Sequence, residues 1–228
     1  GSGKTTLLRC INFLERADKG TLDFEEIHTE FKNASRGTIN KIRKKTAFVF
    51  QNYNLFQNKT ALQNVMEGLT IARKVPKAEA AKIAKEALDK VGLSDRYDYY
   101  PSQLSGGMRQ RAALIRTLAL EPELLLLDEP FSALDYQTRL TVCDDISTII
   151  RESRKTAILI THDLSEAVSA ADRILVLTKR PGTICRILPV TFPLSANRPL
   201  ERRNDPAFSL YFNEIWKTLQ GEGKKYEM

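Results

Sequence analysis

Four consecutive leucines followed by two carboxylates and a proline, Leu124-Leu125-Leu126-Leu127-Asp128-Glu129-Pro130, constrain this chain more than any other stretch. A strand that is apolar at every position has no solvent face, so both faces must be covered, as in a parallel strand inside an α/β sheet. The surrounding periodicity agrees. Strand patterns at 21–24, 46–50, 123–128, 156–161 and 173–177 alternate with helical patterns at 5–15, 61–73, 77–91, 107–120, 136–154 and onward from Leu164. The expected fold class is α/β with a mostly parallel core sheet built from 1–60 and 121–190. The stretch 61–120 is almost entirely helical in pattern and is expected to form an inserted helical subdomain. Beyond Gly182 a hairpin to Val190 and a loop holding Pro193 and Pro199 lead to a last amphipathic helix at 206–219. Residues 191–228 thus read as a C-terminal extension of one domain spanning 1–228.

Lys and Arg number 35 against 28 Asp and Glu, a net charge of +7 with 42% hydrophobic residues. That balance excludes a disordered or collagen-like chain. No apolar run approaches the roughly 20 residues a spanning helix needs, so a membrane role is expected to run through a partner. Cys10, Cys143 and Cys185 are too scattered for a disulfide framework or a CxxC site, which fits a reducing compartment. The basic clusters at 41–45, 73–90, 198–203 and 224–225 read as solvated faces.

Gly1-Ser2-Gly3-Lys4-Thr5-Thr6 matches the second half of the phosphate-binding loop pattern. In that pattern backbone N–H groups cradle phosphates, the lysine reaches the β- and γ-phosphates, and a hydroxyl, here that of Thr5, meets Mg2+. The pattern's opening glycine is absent, but the segment opens a helix carrying Leu7 and Leu8, as such a loop must. Asp128 and Glu129 fall at the C-terminal end of the leucine strand, where open α/β sheets bind ligands. Alone they could simply end the strand. Beside a phosphate loop they read as Asp128 holding Mg2+ through its water shell and Glu129 polarising the attacking water. At Leu104-Ser105-Gly106-Gly107 a helix starts with two glycines that let the backbone approach an anion and a hydroxyl next to them. Without the other motifs it would be a flexible cap.

Together these motifs resemble the ATP-binding subunit of ABC transporters, of importer type, and the resemblance extends over essentially the whole chain. Only a few other ATPase groups share such a Ser-Gly-Gly signature. The resemblance implies a P-loop NTPase with ATP and Mg2+ as cofactors. It also implies a dimer in which Gly1 to Thr6 of one copy and Ser105, Gly106 and Gly107 of the other close over one nucleotide. Gln51 is similar to the family's glutamine that touches Mg2+ and the nucleophilic water and connects to the membrane subunit; outside that context it is a polar turn residue. Asp135, in Ser132-Ala133-Leu134-Asp135, resembles part of the loop that crosses the dimer interface, and its plain reading is a helix N-cap. His162 matches the switch histidine that contacts the γ-phosphate, whereas His28 reads as surface. Met108 stands where a Gln commonly follows the signature glycines, a change expected to tune function rather than abolish it.

The partners implied are a transmembrane permease, a second ATPase copy and, indirectly, a solute-binding protein, with no nucleic acid. The place implied is the cytoplasmic side of the plasma membrane, reached through the permease. ATPases of DNA repair or translation form the alternative, but they carry long coiled coils between the two motifs or two cassettes in one chain. Upstream of Gly107, residues 50–56 and 58–65 look like polar amino-acid importers. Downstream, 108–111, 131–135 and 179–182 look more like nitrate, sulfonate and taurine importers, so the expected solute is small and polar. The chain starts at Gly1 with neither initiator nor targeting segment. An N-terminal truncation is therefore expected, with a strand and an adenine-stacking aromatic upstream of the loop.

Overall fold

The computed structural model describes residues 3–179 and 182–224; Gly1 and Ser2 of the phosphate loop, and Arg180 and Pro181 of the 179–182 stretch, lie outside the described residues. In chain order the elements are α1 (Lys4–Ile11), β1 (Thr21–Phe24), β2 (Ile27–Glu30), α2 (Arg36–Lys45), β3 (Thr46–Val49) and α3 (Ala61–Glu67), which a π-helical turn (Gly68–Ala72) continues. There follow α4 (Lys77–Lys90), α5 (Gly106–Leu118), β4 (Leu124–Asp128), α6 (Tyr136–Glu152), β5 (Thr156–Ile160), α7 (Leu164–Ala170), β6 (Arg173–Leu177), β7 (Ile184–Pro189), α8 (Pro199–Asn204) and α9 (Pro206–Lys224).

The leucine run forms β4, the middle strand of a three-stranded parallel sheet, with Leu126 level with Phe48 of β3 and Ile158 of β5. Every residue of β4 is buried. Successive side chains leave a strand on opposite faces. Leu125 and Leu127 therefore join Leu114, Ile115 and Leu118 of α5 and Val142 and Ile146 of α6, while Leu124 and Leu126 pack with Leu8 of α1 and with Ile160. A helical layer on each face explains why no polar residue interrupts the run, and each fully buried leucine contributes about 1.5–3 kcal/mol. Two antiparallel ribbons, β1–β2 and β6–β7, complete the described strands.

The stretch 61–118 holds the three helices its pattern predicts, α3, α4 and α5, with a largely non-helical connection at 91–105 between the last two. Thr60 and Gln63 form a reciprocal capping box at the start of α3. One turn on, the buried amide of Asn64 accepts from Phe56 N (2.8 Å) and donates to the carbonyls of Phe56, Lys59 and Thr60 (3.0–3.1 Å), which pins the loop that leads out of β3.

Elsewhere tertiary packing overrides the pattern. α1 stops at Ile11 rather than near residue 15: the Asn12 amide donates to Thr46 Oγ1 (2.6 Å), and Phe13 takes a left-handed φ of 57° that buries its ring beside Ile39 and Ile42. The basic stretch at 41–45 belongs to a helix, α2, capped by Ser35, buried through Ile39 and Ile42, and carrying Arg43, Lys44 and Lys45 in its last turn, where cations suit the helix dipole. The Pro-rich connection contains α8, with Pro199 in its first turn and Arg202 buried against the carbonyls of Ser169 (3.3 Å) and Ala171 (2.9 Å). The last helix runs on to Lys224, past the expected end at 219.

Candidate active site

α1 begins at Lys4 behind Gly3, whose φ of +84° lies in the left-handed region. Glycine adopts that conformation without the penalty an L side chain carries. No side chain caps this end and no acidic residue occupies the first turn, so the helix presents its N-terminal N–H groups and positive dipole end to an anion. From the same turn Thr5 Oγ1 donates to Asp128 Oδ1 at 2.9 Å, joining residues 123 positions apart. Asp128 is the last residue of β4 and only 7% exposed. Among the described residues no three or more His, Cys, Asp or Glu side chains converge as a metal site. The Thr5–Asp128 pair instead offers two hard oxygen donors, a sparse set that suits Mg2+, which keeps several waters and takes phosphate oxygens for the rest.

Directly after β4 the backbone turns sharply. Glu129 has a φ of 46°, its N–H donates to Ile160 O (2.9 Å), and its carbonyl accepts from the N–H (3.2 Å) and the hydroxyl (2.9 Å) of Ser132. A non-glycine residue in this conformation is strained. The turn aims the Glu129 carboxylate at His162, which follows β5, with Oε2 3.3 Å from Nδ1. The parallel pairing of β4 with β5 thus sets the two side chains opposite one another.

Ser105 caps α5, its hydroxyl accepting from Met108 N at 3.3 Å. Gly107 has a packing reason as well: a Cβ there would stand 3.0 Å from Val142 Cγ2 and 3.1 Å from Thr138 Cγ2, so its absence lets α5 and α6 approach. Asp135 caps α6, accepting from Thr138 N (3.1 Å); hydrogen bonding from the Thr138 side chain, and then from this N–H, holds its carboxyl below the usual range. Gln51 lies in the turn after β3, at a cleft of about 250 Å³ that Tyr53, Arg109 and Ala133 also line. Among the described residues no hydrogen bond joins Gln51, Ser105 or Asp135 to the Thr5–Asp128 pair or to Glu129. The structure therefore brings four of the expected residues together, Thr5 with Asp128 and Glu129 with His162. His28 is exposed and paired with Asp23 on the β1–β2 ribbon.

Two arginines that carry no sequence signal hold the loops of this site. Arg116 of α5 donates to the carbonyls of Asn54 (2.6 Å) and Tyr53 (3.1 Å), two left-handed residues just past Gln51; burial pushes its pKa down. Arg139 of α6 donates to Leu134 O (2.9 Å) and lies 3.5 Å from Asp163 and 3.8 Å from Glu166. Glu166 is buried, which pushes its carboxyl up, and accepts from Thr161 Oγ1 at 2.6 Å. The Arg116 contacts and the approach of Arg139 to Asp163 and Glu166 join distant parts of the chain, so no local spacing announces them.

Residues 1–132 match the family model described as ABC transporter. A probable amino-acid import ATP-binding protein of Bacillus subtilis, YxeO, is 45% identical over 175 residues, covering 77% of this chain and 70% of the relative. The nitrate import ATP-binding protein NrtD of a Synechocystis species is 39% identical over 97% of this chain and 80% of its own length. Among solved structures, the dimeric post-hydrolysis state of the ATP-binding cassette MJ0796 bound to ADP and Pi matches with a TM-score of 0.69 and 32% identity, covering 84% of this chain and 82% of that one. The phosphate-loop helix, the carboxylates at the end of β4 and the histidine after β5 thus sit in a P-loop ATPase fold, and the chain belongs to the ABC transporter family of ATP-binding proteins.

Proposed function

We infer that this chain is the ATP-binding and ATP-hydrolysing subunit of an importer for a small polar solute, an amino acid or a nitrate- or sulfonate-like anion. One observation carries the reading: the Thr5–Asp128 hydrogen bond fixes the phosphate-loop helix to the end of β4, one residue before the carboxylate that faces His162. The relatives named above, import subunits for amino acids and nitrate, support the importer class.

In this reading Lys4 and the first N–H groups of α1 bind the nucleotide's phosphates. Thr5, Asp128 and Gln51 would hold Mg2+, which when bound neutralises charge on the β- and γ-phosphates. Glu129 accepts the proton of the water that attacks the γ-phosphorus, the bond to the ADP oxygen breaks, and His162 holds the carboxylate and the γ-phosphate side of the site. Preset charges and donors lower the barrier, since phosphoryl transfer asks for positioning more than covalent help. Ser105, Gly106 and Gly107 close the site of a second copy, and Asp135 lies at that interface. Residues 1–60 and 121–190 act as the nucleotide-binding core, 61–120 as the helical subdomain and 191–228 as the C-terminal extension. No helix among the described residues is long and apolar enough to cross a membrane. The likeness to import ATP-binding proteins supports transport through permease subunits, with the ATPase on their cytoplasmic side and a solute-binding protein supplying the solute. ATPase rates of the full-length protein with permease-containing proteoliposomes, duplex DNA or ribosomes test this; stimulation by the proteoliposomes is expected, and stimulation by DNA or ribosomes alone would overturn it.

A further inference from the structure

We propose that Arg139 and Glu166 are positioning residues for hydrolysis, tying the loop at 132–135 to the loop of His162 and so setting His162 against Glu129. This rests on the reading of Glu129 and His162 given above.

The contacts form a closed circuit. Glu129 O accepts from the Ser132 hydroxyl (2.9 Å), and two residues further along the same loop Leu134 O accepts from Arg139 Nη2 (2.9 Å). The same guanidinium reaches the second loop, with Nη1 3.5 Å from Asp163 Oδ2 and Nε 3.8 Å from Glu166 Oε1. Glu166 then fixes the residue before His162, accepting from Thr161 Oγ1 (2.6 Å). Thr161 Oγ1 in turn accepts from Asp163 N (3.0 Å), and Asp163 Oδ1 accepts from Ser165 N (2.8 Å) and Glu166 N (3.1 Å). Both neighbours of His162 are thereby held by the first turn of α7, and Nδ1 closes the circuit on Glu129 Oε2. A buried carboxylate needs a cation beside it, which accounts for an arginine next to Glu166. It does not account for the donor given to Leu134 O, the contact that brings the first loop into the circuit. The His162 ring, with 64% of its side chain exposed, is held by these neighbours rather than by packing.

The test uses the full-length protein, with kcat, ATP affinity and melting measured separately. Arg139→Met removes the cation, and the double variant Arg139→Met/Glu166→Gln removes the buried charge with it, so that folding does not decide the result. Each is expected to lower kcat about tenfold with ATP affinity changed less than about twofold, and Arg139→Lys, which can serve only some of the acceptors, to restore part of the rate. Because both residues act through His162, Arg139→Met added to His162→Ala is expected to cost less than about another twofold. A kcat within about twofold of the parent for the double variant, or a further tenfold loss on top of a slow His162→Ala, overturns the proposal alone. A full rate for His162→Ala overturns it together with the role of His162.

Discussion

Replacing Glu129 by glycine and by alanine separates its backbone from its side chain. Its φ of 46° places an L residue in the left-handed region, which costs about 1–2 kcal/mol. Alanine keeps that strain and glycine releases it, while glycine's greater freedom in the unfolded chain takes back about 0.4–1 kcal/mol. Both variants lose the same contact with His162, a pair with side chains 28% and 64% exposed whose contribution is no more than about 1 kcal/mol. At the middle of these ranges the difference leaves Glu129→Gly more stable than Glu129→Ala by about 0.8 kcal/mol, the reverse of the usual order, or about 2–3 °C in melting temperature for a chain of this size. Both are expected to be inactive as ATPases. Urea unfolding of the two variants side by side reads the difference directly. If Glu129→Ala is the more stable, the residue is not strained and the turn does not aim its carboxylate as described.

Thr5→Val removes the donor to Asp128 and is expected to lower stability by about 1–3 kcal/mol in urea titrations. It should also weaken Mg2+-dependent nucleotide binding, whereas Thr5→Ser keeps both. Burial pushes the Cys143 thiol up from 9.0 to about 12, so alkylation at pH 8, read by peptide mass mapping, should label it only in the unfolded protein. The folded state also binds more protons than the unfolded state between those values, so this thiol's contribution to stability is present below pH 9 and lost as pH rises towards about 12. Cys143→Ala should decline less over that window.

What the sequence made legible were the features that depend on local pattern. The leucines of β4 could be read as a doubly covered strand because each successive residue must meet one of two helical layers. The meeting of Thr5, Asp128, Glu129 and His162 followed from placing their motifs at strand and helix ends. α2 escaped because only Ile39 and Ile42 among its ten residues form the buried face, too few to set a period. The early end of α1 depends on Thr46 and the Phe13 pocket, which no apolar spacing encodes. Gly107 looked like a place for an anion to approach, yet its neighbours Val142 and Thr138 show that close helix packing also requires it. Arg116, Arg139 and Glu166 were invisible for a related reason: Arg116 meets its carbonyls, and Arg139 and Glu166 meet one another, only after folding.

The central claim is that Glu129 takes the proton of the attacking water while the phosphates are held elsewhere, by Lys4, Thr5 and the end of α1. The most direct measurement is single-turnover ATP hydrolysis by full-length Glu129→Gln, with ATP affinity and dimerisation recorded on the same protein. A rate lower by about 100-fold or more, unchanged ATP affinity and a stable ATP-bound dimer are the results predicted. Hydrolysis at the parent rate with ATP bound would contradict the account.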